Sequence, residues 1–356
     1  MKKFARTMFA VATNVLPQHG FISGAHTMYS FRSKLAVLVS VVALTLLFHS
    51  GPFCAPALSG TITGWGSDGQ NQVSGAPSAA GFQAIVAGGA HSLALDSNGM
   101  IHGWGADFSS QVSGAPSAAG FTAIASGEDY SLALASDGSI HTWGTPYDYG
   151  QISDTPTGTG FQAIDADYTH SLALAGDGSI VSWGRDLYNI ISDTPSGTGF
   201  TAIATGRDHS LALTSDGSIV GWGANSAGRN QLTNIPTGTG FQAISAGEYH
   251  SIALDSSGVI HGWGYDNHNE VSGAPSGTGF QAIAAGSYHN MALASDGSIT
   301  SWGWDNNNCV SNTPTGTGYQ AISGGLWYSL ALVPEPSTAL LLCLGLMALA
   351  TGRWNR

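Results

Sequence analysis

His91-Ser92-Leu93-Ala94-Leu95-Asp96-Ser97-Asn98-Gly99-Met100-Ile101-His102-Gly103-Trp104-Gly105 decides the fold, because the chain keeps rewriting this stretch. Its opening phrase, His or Tyr and then usually Ser-Leu-Ala-Leu, returns at Tyr130, His170, His209, His250, His289 and Tyr328. Its closing Trp-Gly pair is also found at Trp65, Trp143, Trp183, Trp222, Trp263 and Trp302, 39 to 41 residues apart. That period belongs to solenoids and propellers. Between the phrases lies a short turn: Asn98-Gly99, Asp137-Gly138, Asp177-Gly178, Asp216-Gly217, Ser257-Gly258, Asp296-Gly297. Asn-Gly and Asp-Gly between apolar runs signal a hairpin, on the expectation that both turn residues take positive φ. Each unit is therefore built on a β-hairpin, and the hairpin recurs seven times.

A full unit adds a strand before the hairpin. Phe82–Gly88 leads, His91–Leu95 follows, and Met100–Gly105 closes, with an irregular return through Ala106–Gly120. Apolar residues alternate along the second and third strands, which predicts two dissimilar faces. Small residues in the first strand (Ala84, Ala87, Gly88) suit the crowded inner position of a radial fold. One Trp per unit at fixed phase reads as core, not as a ligand contact.

The ends of the array carry the topological clue. The last unit stops at Tyr328–Leu332, with no Asp-Gly turn and no Trp-Gly strand. The first segment, Thr61-Ile62-Thr63-Gly64-Trp65-Gly66, is a third strand without its partners. Together they make one unit. A ring would then close through the N-terminal strand and leave only short, protected edges. The expected fold is all-β: a seven-bladed β-propeller over residues 59–332, closed by its N-terminal strand.

The repeat Ala-Ile-x-x-Gly-x-x-His-Ser-Leu-Ala-Leu-x-x-Asp-Gly-x-Ile-x-x-Trp-Gly resembles that of the regulator of chromosome condensation family. The resemblance extends over all the units. Three departures from that family's nuclear members stand out: shorter repeats, no long inserted loop for nucleotide exchange on a small GTPase, and signs of export. The chain is more similar to a short-repeat secreted branch, such as the bacterial propeller that inhibits β-lactamase with one face. That resemblance implies a binding platform rather than an exchange factor.

Flanking segments support export. Residues 28–58 read as a signal peptide: Arg32 and Lys34, an apolar Leu35–Phe48, then Ala55-Pro56-Ala57 as the cleavage site. A membrane anchor is the alternative, but this run is shorter than the about 20 residues a spanning helix needs. Residues 1–27 make the signal too long, so translation is expected to start at Met28. At the other end, residues 333–356 resemble the PEP-CTERM sorting signal of bacterial exosortase substrates. They supply the Pro334-Glu335-Pro336 box, an apolar helix over Thr338–Thr351, and Arg353 and Arg356. The prolines hold an extended segment for a processing enzyme, and the arginines stay cytoplasmic. A plain C-terminal anchor is the rival. The resemblance implies an exosortase-type partner, membrane contact through the tail before processing, and a destination at the cell envelope, surface or matrix.

Composition narrows the function. The 356 residues are 43% apolar and 9% charged, with 22 acidic against 10 basic side chains. From Ser59 to Leu332 the basic residues are Arg185, Arg207 and Arg229, so a nucleic-acid partner is disfavoured. Cys54 and Cys343 lie in the terminal apolar segments, which leaves Cys309 alone in the repeats and no disulfide within them. The repeated His residues could form a metal or acid–base ring. Their fixed phase, with Tyr130 and Tyr328 substituting, argues for a structural hydrogen bond in each unit. Neither the Ser beside each His nor any Gly-x-Ser-x-Gly elbow marks a nucleophile. Asp266–Glu270 and Asp305–Asn308 have a calcium-loop flavour without EF-hand spacing, and read as solvated loops. No cofactor is called for.

The reading is a non-enzymatic exported scaffold that binds an unknown protein or polysaccharide. A glycan lyase or hydrolase is the rival, and it requires two acids in one pocket. Nucleotide exchange is a third option, which export disfavours. Strand directions put the loop before each His or Tyr and the loop after each Trp-Gly on one end. The expected binding face there comprises Glu128, Asp129, Tyr147, Tyr149, Tyr168, Arg185, Tyr188, Arg207, Asp208, Glu248, Tyr249, Tyr265, Tyr288, Trp304 and Trp327. Tyr, Trp and Arg are the residue types of interface hot spots, and loops on a rigid scaffold carry function.

Overall fold

The computed structural model describes residues 60–334, apart from 146 and 227. The expected signal peptide, its cleavage site, the apolar tail helix, Glu335 and Pro336 lie outside the described residues. What is described is all-β, with two short 3-10 turns at Leu187–Asn189 and Asn306–Asn308.

Strand β1 (Gly60–Gly66) comes first, followed by β2 (Phe82–Ala87), β3 (His91–Asp96) and β4 (Ile101–Gly105). In this unit β3 pairs antiparallel with both β2 and β4. The same three-strand unit then repeats, starting at Phe121, Phe161, Phe200, Phe241 and Phe280. The last strands are β20 (Ala321–Gly324) and β21 (Tyr328–Pro334). β21 pairs antiparallel with β20 and, along seven residues from Gly60↔Pro334 to Gly66↔Tyr328, with β1.

The middle strand departs from the expected alternation of apolar and polar faces. His91 to Leu95 are all buried, Ser92 included, and the same holds in every unit. The reason is that each middle strand is covered on both faces by neighbouring units. What alternates is size. Leu93 and Leu95 pack against Ala133 and Trp143 of the next unit. In the same way Leu211 and Leu213 pack against Ala253 and Trp263. Bulky leucines on one face fit the alanine face and indole of the neighbour, which is how close-packed interiors avoid voids. Trp65 joins this scheme from β1: it packs with Met291 and Ala331, where the last unit has no Trp of its own.

Polar groups are joined in series along the same belt. His91 Nε2 meets Ser131 Oγ at 2.9 Å, His170 meets Ser210, His209 meets Ser251, His250 meets Asn290 and His289 meets Ser329. Tyr130 Oη reaches Ser171 Oγ, and Tyr328 Oη reaches Ser92 Oγ, each at 2.9 Å. Each bond ties one unit to the next, and that of Tyr328 leads back to the unit of β2–β4. Tyr thus replaces His by reaching the same hydroxyl. Beside it, each Trp Nε1 donates to a carbonyl in the return loop of the preceding unit, as Trp104 does to Gln72 at 2.8 Å. Trp65 donates to the Cys309 carbonyl. Burial lowers the histidine pKa values, to about 4 at His91 and about 3 at His170 and His209, so the rings are neutral.

The turns also differ from expectation. Only the glycine takes positive φ, as at Gly99 (+76°); Asn98 and Asp137 do not. The hairpin closes over three residues, with Asp96 N–H donating to the Met100 carbonyl. The extra turn residue moves the positive-φ requirement onto glycine alone.

Candidate functional site

The end of the strands opposite these turns is formed by two loops from each unit. The loop before the His or Tyr and the loop after Trp-Gly are joined by a backbone bond. Arg185 N–H donates to the Thr169 carbonyl, Tyr265 N–H to that of Tyr249 and Trp304 N–H to that of Tyr288. Each return loop is braced by an Asp or, in one unit, by Asn225: Asp266 Oδ1 accepts from Val271 and Ser272 N–H at 2.8 and 2.9 Å, Asp305 from Val310 and Ser311, and Asn225 Oδ1 from Leu232 N–H. Backbone donors therefore occupy the carboxylates of the calcium-like loops. Among the described residues, no three His, Cys, Asp or Glu side chains are grouped to hold a metal ion.

An aromatic cluster spans several of these loops. Tyr288 stacks on Trp327 with ring centroids 5.1 Å apart, and Trp304 meets both edge-on. His268 stacks on Trp304 at 4.2 Å, and Tyr249 links Tyr265 to Tyr288. All three arginines of the repeats lie over tyrosines: Arg229 over Tyr249 at 3.6 Å, Arg207 over Tyr168 at 4.2 Å, Arg185 over Tyr149 at 5.0 Å. Such cation–π contacts hold a guanidinium in place while leaving its donors free. Away from the cluster, Phe108, Tyr147, Tyr149, Leu187 and Tyr188 stand exposed in three successive return loops. Asp208, Glu248 and Tyr249, expected on the surface, are instead buried.

At the centre lies a cavity of about 450 Å³, lined by the loop-end residues of the first strand of every unit. Of the expected face, Glu128, Tyr168, Arg207, Glu248, Tyr288 and Trp327 reach it; the others do not. The cavity also contains Asp165 and Asp167, which sequence reasoning missed. Comparing the repeats could have found them. Where one unit has Asp165 and Asp167, the others have Val86 and Gly88, Ala125 and Gly127, Ala204 and Gly206, Ser245 and Gly247, Ala284 and Gly286, Ser323 and Gly325. Glycine fits its position because the His or Tyr ring packs over it: a Cβ on Gly88 lies 2.8 Å from His91 Cε1. With Asp167 in that place the chain detours, and Tyr168 takes a φ of +28°. Left-handed backbone is costly for a bulky residue.

The Asp165 position has a second duty. Side chains there cap a backbone N–H in the next unit: Ser323 accepts from Ala87 at 3.0 Å and Ser245 from Ala285 at 2.9 Å. Asp165 Oδ2 accepts from Thr205 N–H at 2.7 Å and from its hydroxyl at 2.9 Å. Asp167 Oδ1 accepts from Tyr168 N–H. Both aspartates retain some exposure to the cavity although protein surrounds them. That desolvation raises Asp165 to about 6 and Asp167 to about 7, with Asp165 and the nearby glutamates adding to the Asp167 shift. Glu248 is paired with Arg207. Desolvation raises Glu128 as well.

Comparison with known proteins agrees with this architecture. The regulator of chromosome condensation (RCC1) repeat matches residues 82–111, 200–229, 241–270 and 280–309, and the PEP-CTERM protein-sorting motif matches residues 332–356. Prp20p from Saccharomyces cerevisiae, whose binding to Gsp1p and histones has been described, is similar in structure. It shares 19% identity at a TM-score of 0.65, over 81% of this chain and 94% of its own. Human WBSCR16 is similar at 17% identity and a TM-score of 0.63, over 78% and 99%. The ectodomain of the Arabidopsis thaliana receptor kinase ACR4 is similar at 18% and 0.59, over 72% and 95%. No curated protein sequence matches the chain. The chain therefore carries RCC1 repeats in a β-propeller, and its sorting motif marks an exported protein.

Proposed function

We propose that residues 59–332 form a closed, seven-bladed propeller that acts outside the cytoplasm as a non-enzymatic binding scaffold. Its ligand is a protein or a polysaccharide. Residues 28–58 direct export and are removed, residues 1–27 are not translated, and residues 333–356 engage an exosortase-type enzyme before the protein reaches the envelope, surface or matrix. The pairing of β1 with β21 and the return of the Tyr328 bond to Ser92 support closure. One observation carries the binding role: the turn end is nearly uniform from repeat to repeat while the loop end varies strongly, and tyrosine, tryptophan and arginine gather there. The protein partners named for Prp20p are consistent with this use of the fold. A screen of the purified protein against glycans and surface proteins tests it; binders that ignore every loop-end substitution would overturn it.

A glycan lyase or hydrolase is the second reading. It rests on Glu128, Asp165, Asp167 and Glu248 in one cavity, two of them with pKa values near neutrality. Turnover of any polysaccharide that binds would favour it.

A further inference from the structure

In the central cavity the repeat breaks its own rule. One unit replaces two small residues with aspartates, and Glu128 and Glu248 add carboxylates from the neighbouring loops. The cavity has one cationic side chain, Arg207, already engaged by Glu248 and seated on Tyr168. Glu128, Asp165 and Asp167 form no ion pair there. Carboxylates partly withdrawn from water and without a counter-charge are costly to ionise unless a cation arrives to match them.

A second, independent observation points the same way. Ser126 is 6% exposed, lines this cavity, and its hydroxyl has no hydrogen-bond partner. The cause is visible in the repeat. Thr205, at the matching position, gives its hydroxyl to Asp165 of the preceding unit, whereas Ser126 faces a unit with Val86 there. A buried donor is thus left without a partner in the wall of an acidic cavity. Natural proteins rarely leave such groups unmet.

The walls define the cation further. Tyr168, Tyr288 and Trp327 line the cavity alongside the carboxylates. Aromatic faces attract organic ammonium groups, which carry their charge on a body with C–H surfaces. Hard divalent ions instead require several converging oxygen ligands, and no such group is present among the described residues. The size is that of a small-ligand site. A sugar ring with a free amine satisfies every part: its C–H face suits an aromatic ring, its hydroxyls the Ser126 Oγ, and its ammonium the aspartates.

We propose that the cavity between Asp165, Asp167, Glu128 and Ser126 is a subsite for an amino sugar bearing a free amine, either alone or within a polysaccharide. This rests on the scaffold reading above and specifies its ligand class. The groups facing the subsite are Glu128, Asp165, Asp167, Tyr168, Arg207, Glu248 and Tyr288. Since both aspartates hold their protons at mildly acidic pH, binding strengthens as pH rises from 5 to 7.

The test is calorimetry at pH 7 with three probes: the hexamer of β-1,4-linked glucosamine, its fully N-acetylated counterpart and hexalysine. Free glucosamine as competitor separates the lone sugar from the polymer. The glucosamine hexamer is expected to bind at least about tenfold more tightly than the acetylated one, the worth of one charge-assisted hydrogen bond. The double variant Asp165→Ser with Asp167→Gly restores residues found in sister units, so it should fold, and it should lose this preference. Equal affinity for the two hexamers overturns the proposal, as does wild-type affinity in the double variant or binding of hexalysine alone. If the double variant binds the hexamer normally and Trp304→Ala does not, the subsite is wrong and the loop-end scaffold stands. If no probe and no member of the wider screen binds, both are wrong.

Discussion

The two ends of the strands obey different rules. At the Asp-Gly end every turn glycine has a φ between +75° and +79°. Each turn also touches the next unit: Phe161 N–H donates to the Gly138 carbonyl, and a Cβ on Gly138 lies 2.7 Å from Phe161 N. Sequence there is fixed twice, by backbone conformation and by the neighbour. At the loop end the return loops need only an Asp, or Asn225, to brace them, and their tips are free to differ. Phe108 is 82% exposed, and the same position holds Gly69, Leu187, Ser226, Asn267 and Asn306 in other units. Uniformity thus marks the turn end, and variety the tips of the return loops, which are free to meet something else.

Removing residues 60–66 attacks both ends together and should have the largest effect. It strips β21 of one of its two partners and takes Trp65 from its place against Met291 and Ala331. Loss of one buried Trp alone costs about 3–5 kcal/mol. The deletion should lower the melting temperature by about 10 °C or more and promote aggregation. An unchanged melting temperature would break the ring and, with it, the idea of two distinct ends.

Acid should act next, through the belt between the ends. The five buried histidines have folded pKa values of about 3 to about 4, below the unfolded value near 6.5. A depressed pKa gives stability that is complete above the unfolded value and lost as pH falls toward the folded one. Asp165 and Asp167 act with the opposite sign: the stability from their raised pKa values is full below the unfolded value near 3.8 and is lost as pH rises to about 6 and about 7. The histidines outnumber them, each worth on the order of 3 kcal/mol. Melting temperature should therefore fall steadily from pH 6.5 to 4. A flat profile would mean the rings accept protons in place.

The smallest effect sharpens the comparison most. Once a ligand is found, alanine at Trp304 or Trp327 should cost about 2 kcal/mol of binding for at least one of them. Alanine at Asp137, Asp177 or Asp296 should leave binding within about 0.5 kcal/mol. The reverse pattern would assign the ligand to the turn end.

Much of this architecture was readable in the sequence because each unit repeats the same tests. His, Trp and Gly at fixed phase revealed strands, turns, the lone strand at the start and the two-strand unit at the end. Burial on both faces of the middle strand was not readable from one unit, since it arises only when neighbours cover it. The site was harder. Tyr288 and Trp327 could be placed at the loop end by counting directions, but Tyr249 proved buried because its neighbours fold over it. Asp165 and Asp167 escaped notice since attention to the repeat's rule hides its exceptions. Which loop residues reach the central cavity depends on the curvature of the whole array, and no local pattern encodes that.

The seam between β1 and β21 has a kinetic consequence. Gly60 pairs with Pro334, and Trp65 donates to the carbonyl of Cys309, 244 residues away. Contacts so distant along the chain are reached late, and they slow folding. For a chain delivered from its N-terminus, β1 is bridged to β2 only at Gly60↔Phe82 until the last strand arrives to pair along its length. That strand runs directly into Pro334, where the sorting motif begins its box. The time at which the repeats lock together is therefore set by the emergence of the segment that also governs sorting.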